Sequence, residues 1–98
     1  MVNKLTPPPS LPDLQDLRAV IAYNMRLYRV NHGWSQEELA RQCGLDRTYV
    51  SAVERKRWNI ALSNIEKIAS ALKIAPYKLL LPPQEMLRQM TEPADTQA

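Results

Sequence analysis

Only two glycines occur in 98 residues, so this chain has few places to turn sharply, and both follow directly on helical patterns. With no Cβ, glycine takes the left-handed backbone just past a helix end at no steric cost. Gly33 closes a stretch in which Leu14, Leu17, Ile21, Met25 and Tyr28 recur at helical spacing and form one apolar face. Gly44 closes a shorter stretch whose inner face is Leu39, Ala40 and Cys43. Phe is absent, and the alternation of a half-buried strand is hard to find. The chain therefore reads as all-α, with room for one domain and a modest core.

Capping chemistry divides the pattern further. Asp13 opens helix one. Ser35 followed by Glu38 has the spacing of a capping box and starts helix two at Gln36. Asp46 is an N-cap for helix three, which buries Val50 and Val53, turns Arg47, Thr48, Ser51, Ala52 and Arg55 elsewhere, and runs out near Lys56–Arg57. After the connector 58–61, helix four spans Leu62–Leu72 with Leu62, Ile65, Ile68, Ala69 and Leu72 inside. Pro76 suits the first position of a short fifth helix, which Pro82 and Pro83 terminate. The expected architecture is a compact five-helix bundle over 13–83 with disordered termini. A flexible arm over 1–12 carries four prolines, and a short helical extension and tail occupy 84–98.

The formal charge is +3. Between Arg47 and Trp58, four basic residues (Arg47, Arg55, Lys56, Arg57) face one acid, Glu54, so the whole excess lies in this short segment. The lone cysteine, Cys43, excludes an intrachain disulfide. No apolar run is long enough to span a membrane, and 1–12 lacks the apolar stretch of a signal peptide. A cytoplasmic protein is expected. His32 is the single histidine and sits at a helix end. No His, Cys or carboxylate cluster has metal-ligand spacing, and no Gly-rich phosphate loop is present. No enzyme, metal or cofactor is expected.

The most informative unit is Gln36–Glu54: a short capped helix, a turn on Gly44, and a second short helix, the pattern of a helix-turn-helix. Ala40 is small enough for the two helices to approach, and Leu45 and Val50 set their crossing by packing. Met25-Arg26-x-x-Arg29, Gly33–Ala40, Gly44–Ser51, Glu54-Arg55 and Leu62-x-x-Ile65-x-x-Ile68-Ala69-x-x-Leu72 together resemble the phage-repressor/Cro (xenobiotic-response-element) family. The likeness covers about residues 17–81. Around 45–51 and Glu54-Arg55 it is similar to the controller proteins of restriction–modification systems.

That resemblance implies a lambda-repressor-like bundle, double-stranded DNA as partner, helix three (about 46–56) in the major groove, and usually a homodimer on a (pseudo)palindromic operator. Arg47 and Thr48, at the start of helix three, are expected to reach base edges, with Ser51 one turn on. Arg can pair with guanine O6 and N7, and Thr can meet a hydrogen-bonding edge or a thymine methyl. Tyr49 is open between base contact and structural packing. Gln36 stands where the amides and dipole of helix two favour a phosphate. Arg55, Lys56, Arg57 and Asn59 can reach phosphates. Trp58 is either a core lid over the connector or a contact against sugar and phosphate, and the lid is the expected role. Arg29 and Glu54 match a family ion pair between helices one and three.

Three departures stand out. Lys56 replaces a common glycine past helix three, Ile60 a common proline, and Ala61 a common Ser or Thr cap. At the C-terminal end, Leu79, Leu80, Met86, Leu87 and Met90 exceed what a capped monomer needs. They serve either core packing or a homodimer seam. A rival functional reading is an antitoxin or protein-interaction adaptor of the same fold. No domain large enough for a small-molecule pocket remains, so no effector is expected.

Overall fold

A computed structural model gives the fold and describes residues 11–83. Four α-helices follow in order among these residues: α1 Leu17–Asn31, α2 Gln36–Cys43, α3 Arg47–Glu54 and α4 Leu62–Leu72. A 3-10 helix, Pro76–Leu80, closes the described chain. The expected fifth helix is therefore a single tighter turn. Pro76 starts it, and Pro82 follows its last residue too soon for an α-helical ladder to be established.

Helix α1 begins at Leu17, later than the expected Asp13. Asp16 is the N-cap, its Oδ1 accepting the Ala19 amide at 3.2 Å. Asp13 instead holds a turn of its own, accepting the Gln15 amide on its side chain and the Asp16 amide on its carbonyl. Leu14 and Leu17, assigned to the inner face, are exposed. Beyond them α1 is buried on more than one face, with Ala19 to Met25 continuously buried. It is the central strut of the bundle, in contact with α3 and the 3-10 helix, while α2 packs on α3 and α4.

The core comprises Met25 and Leu27 of α1, Leu39 of α2, Val50 and Val53 of α3, Ile65, Ile68 and Leu72 of α4, and Leu79. Each large aliphatic side chain withdrawn from water there contributes roughly 1.5–3 kcal/mol. Three polar residues are buried among the described residues, Asn24, Arg29 and Ser51, and Asn24 is the most deeply placed. Asn24 is fully buried and donates both amide hydrogens, to the Leu79 and Leu81 carbonyls at 2.9 Å each. It binds the closing turn to α1 and satisfies two carbonyls that the short 3-10 turn leaves over. Leu62, expected inside, is 76 % exposed: it is the first residue of α4, at the edge of the bundle and past the core that Ile65 enters.

All four described helices end in the same way. A residue with positive φ follows each helix: Gly33 (φ 76°), Gly44 (71°), Lys56 (64°) and Lys73 (63°). At α1 the Gly33 and Trp34 amides donate back to Val30 and Arg29, and at α2 the Gly44 and Leu45 amides donate to Arg41 and Ala40. Lys56 and Arg57 donate to Val53 and Ala52, and Lys73 and Ile74 to Ser70 and Ala69. These are Schellman turns, which satisfy the last carbonyls of a helix. Two exits use glycine; two force lysine into the left-handed region, at a cost of roughly 1–2 kcal/mol relative to ordinary backbone. Replacing Lys73 or Lys56 by Gly removes that strain but frees the unfolded chain. Each variant is expected to gain about 0.5–1 kcal/mol in urea unfolding. A loss at both positions would contradict the strain assigned to them.

Candidate nucleic-acid interface

The site is built where α2 and α3 meet. Ser35 caps α2, its Oγ accepting the Glu38 amide at 3.0 Å. The reciprocal half of the expected capping box is absent from this geometry. The Glu38 carboxylate turns along its own helix to Gln42 and Arg41, and those hydrogen bonds hold it below the usual carboxylate range. Asp46 caps α3, accepting the Thr48 amide at 2.8 Å. The two caps and the Gly44 turn fix where α3 starts. Arg47 and Thr48 stand exposed in its first turn.

Arg29 of α1 meets Glu54, the last residue of α3. Nε donates to Oε2 at 2.8 Å and Nη2 to Oε1 at 3.0 Å, with side chains only 10 % and 3 % exposed. The remaining Arg29 nitrogen, Nη1, donates to the Trp34 carbonyl at 2.8 Å. Gln36 enters the same network, its Nε2 donating to Glu54 Oε1 at 3.0 Å. An amide nitrogen carries two hydrogens, so this side chain is oriented by Glu54 with a second donor left over at the start of α2.

The other expected contacts divide. Arg55, Lys56 and Asn59 are exposed around the exit of α3, which ends at Glu54 with Arg55 as its cap, earlier than the expected 56. Ser51, expected to reach outward, is only 5 % exposed, and its Oγ accepts Arg55 Nη2 at 2.9 Å. One turn along an eight-residue helix, it sits where α3 turns into the bundle, and it positions Arg55 rather than projecting itself. Ala52, also assigned outward, is buried. Tyr49 is half-buried against the core, and its hydroxyl accepts the Ala61 amide at 3.4 Å, so it pins the connector. Trp58, expected as the core lid, is 49 % exposed with its ring 6.0 Å from that of Tyr49. The tryptophan that does pack on the core is Trp34, its ring tilted against that of His32 with centroids 4.5 Å apart.

Arg47, Thr48, Ser51 and Arg55 on one side of α3, with Arg57 and Trp58 from the connector, enclose an open cleft of about 230 Å³. Its lining holds three guanidinium groups and no carboxylate. The lid was the favoured role for Trp58 because an indole after a helix reads as core; the signal for the surface alternative was the surrounding charge, Arg55 to Arg57 and Asn59. At the other end, Leu79 is fully buried and cannot form a dimer seam, whereas Leu80 and Tyr77 are exposed. Met86, Leu87 and Met90 lie outside the described residues. No group of three metal-ligating side chains occurs among the described residues.

Two short capped helices at a glycine turn, the second presenting a cationic face, define a helix-turn-helix protein. The chain matches the helix-turn-helix family over residues 25–79 and belongs to it. It is 80 % identical over 96 residues to a hypothetical transcription factor of Neisseria meningitidis serogroup B, covering 98 % of this chain and 91 % of that one. The crystal structure of a Neisseria hypothetical transcription factor aligns with a TM-score of 0.81 at 81 % identity, covering 91 % of this chain and all of that one. Control protein C.SmaI of Serratia marcescens is 45 % identical over 65 residues, 66 % of this chain and 77 % of its own. The restriction–modification controller protein C.AhdI of Aeromonas hydrophila aligns with a TM-score of 0.61 at 44 % identity, covering 65 % of this chain and 96 % of that one.

Removing one partner of the α1–α3 pair leaves the other charge buried and unpaired. Glu54→Ala is expected to cost about 3–5 kcal/mol in denaturant unfolding. The double substitution Arg29→Met/Glu54→Leu is expected to recover much of that loss. A cost below about 1 kcal/mol for Glu54→Ala would show that the network does not hold α3.

Proposed function

We propose that the protein is a sequence-specific transcription regulator that binds double-stranded DNA with α3 in the major groove. The carrying observation is the first turn of α3, where Arg47 and Thr48 stand exposed at the mouth of an acid-free cleft lined also by Arg55 and Arg57. A helix presented in this way places its N-terminal side chains at base edges. Arg47 pairs with a guanine edge, and Thr48 meets a hydrogen-bonding edge or a thymine methyl. Arg55, Lys56, Arg57 and Asn59 grip phosphates, and Gln36 adds its spare donor and the amides at the start of α2. Ser51 serves by holding Arg55. The names of the Neisseria relative, a transcription factor, and of the control proteins support the regulatory role.

The protein acts by binding and not by catalysis, in the cytoplasm. No helix among the described residues is long and apolar enough to cross a membrane. It works as a homodimer, since a two-fold protein reads two half-sites about one helical turn apart. Exposed Tyr77 and Leu80 supply apolar surface for the seam within the described residues.

Arg47→Ala is expected to weaken binding to a duplex selected from a random-sequence pool by about 1–3 kcal/mol, while leaving non-specific binding much less changed. Lys56→Ala is expected to weaken both alike and to lower the salt slope by about one. Equal losses on both duplexes for Arg47→Ala would remove it as a base reader. Sedimentation at micromolar concentration is expected to show a dimer. A strict monomer protecting a single half-site would overturn the two-fold arrangement.

A further inference from the structure

Trp58 is in an unusual position for one of the two largest side chains in the sequence. Half of it is exposed, although an indole loses more by remaining in water than any other side chain here. The connector it was expected to cover is held by Tyr49, whose hydroxyl takes the Ala61 amide and whose ring rests half-buried on the core. Trp58 stands outside that contact, tilted against the Tyr49 ring, and forms one wall of the cleft beside α3.

We propose that Trp58 is a DNA-contacting residue whose indole packs against a deoxyribose of the strand whose phosphate is held by Arg55 and Arg57. This inference rests on the DNA-binding reading above. The cleft combines two chemistries. Its guanidinium groups, uncompensated by any carboxylate in the lining, call for an anion. Its floor at Ala52 and its wall at Trp58 are apolar. A free inorganic phosphate leaves the indole unused. A base inside a duplex presents only its edge, so its stacking face is out of reach. The sugar–phosphate strand bordering the major groove has both parts, an anionic phosphate and an apolar sugar face. Arg55 is already fixed by Ser51 Oγ, so the charged side is pre-oriented and less side-chain freedom is lost on binding. The indole N–H adds a donor for a phosphate oxygen.

The test uses the full chain and a duplex selected from a random-sequence pool, with inorganic polyphosphate as a polyanion that lacks any sugar. Trp34 and Trp58 are the two emitters, and Trp34 is packed against His32 and the core. Tryptophan emission of the wild type is expected to change on adding the duplex and much less on adding polyphosphate, and Trp58→Phe is expected to abolish the duplex response. Trp58→Ala is expected to bind the duplex about five- to tenfold more weakly with an unchanged salt slope, whereas Arg57→Ala lowers the slope by about one. Trp58→Phe keeps a ring against Tyr49 and is expected to retain most of the affinity, which separates a lost contact from a lost fold. Wild-type affinity for Trp58→Ala, equal emission changes with polyphosphate and duplex, or binding by mobility shift with no emission change would each overturn the contact and leave the DNA-binding reading standing. If no duplex is bound at all, both fall.

Discussion

The pairing of Arg29 with Glu54 organises the rest of the structure. One guanidinium makes two bonds to a carboxylate at the end of α3 and a third to the Trp34 carbonyl in the turn before α2. Gln36 adds the first turn of α2. Three helices and a turn therefore share a single charged node almost out of water. Taking two charges from water is costly, and the bidentate geometry together with the further bonds to the Trp34 carbonyl and from Gln36 offsets it. The node ties the end of α3 to α1 and to the start of α2, beside the apolar packing of Val50 and Val53.

From this node the recognition face follows as a consequence of geometry. The end of α3 is anchored and its start is capped by Asp46, so the exposed side of a helix only two turns long has little freedom. Ser51 extends the order outward by holding Arg55, and Tyr49 does the same for the connector. Of the cationic side chains lining the cleft, Arg55 is thus already positioned, which suits a surface that must meet a rigid duplex at fixed spacing.

The helix exits show how conformational cost is distributed. Gly33 and Gly44 flank α2, where the turn must be sharp and short. Lys56 and Lys73 take the same backbone at the ends of α3 and α4. At Lys56 the strained residue lies beside the proposed phosphate-binding segment, where a positive charge is useful and glycine would supply none. Lys73 has no such neighbour, and nothing in the structure explains why it is not glycine.

Much of this was legible in the residues themselves. The helix spacing, the Ser35 and Asp46 caps and the two glycines determine four helical segments and the place of the turn between α2 and α3, because each of these signals acts within one helical turn of the residue that carries it. The basic segment after Glu54, and Lys56 in place of a glycine, could also be read directly. What only the tertiary structure decided was orientation and burial. Ser51 and Trp58 exchanged their expected places. Leu79 proved to be core, Leu62 proved to be surface, and Asn24 emerged as the clamp on the closing turn. Sequence spacing gives the side of a helix on which a residue lies, but the angle at which that helix meets its neighbours decides how much of the side is covered. In this chain the contact that ties α3 to α1 lies between residues 29 and 54, far apart along the backbone and joined only when the chain is folded.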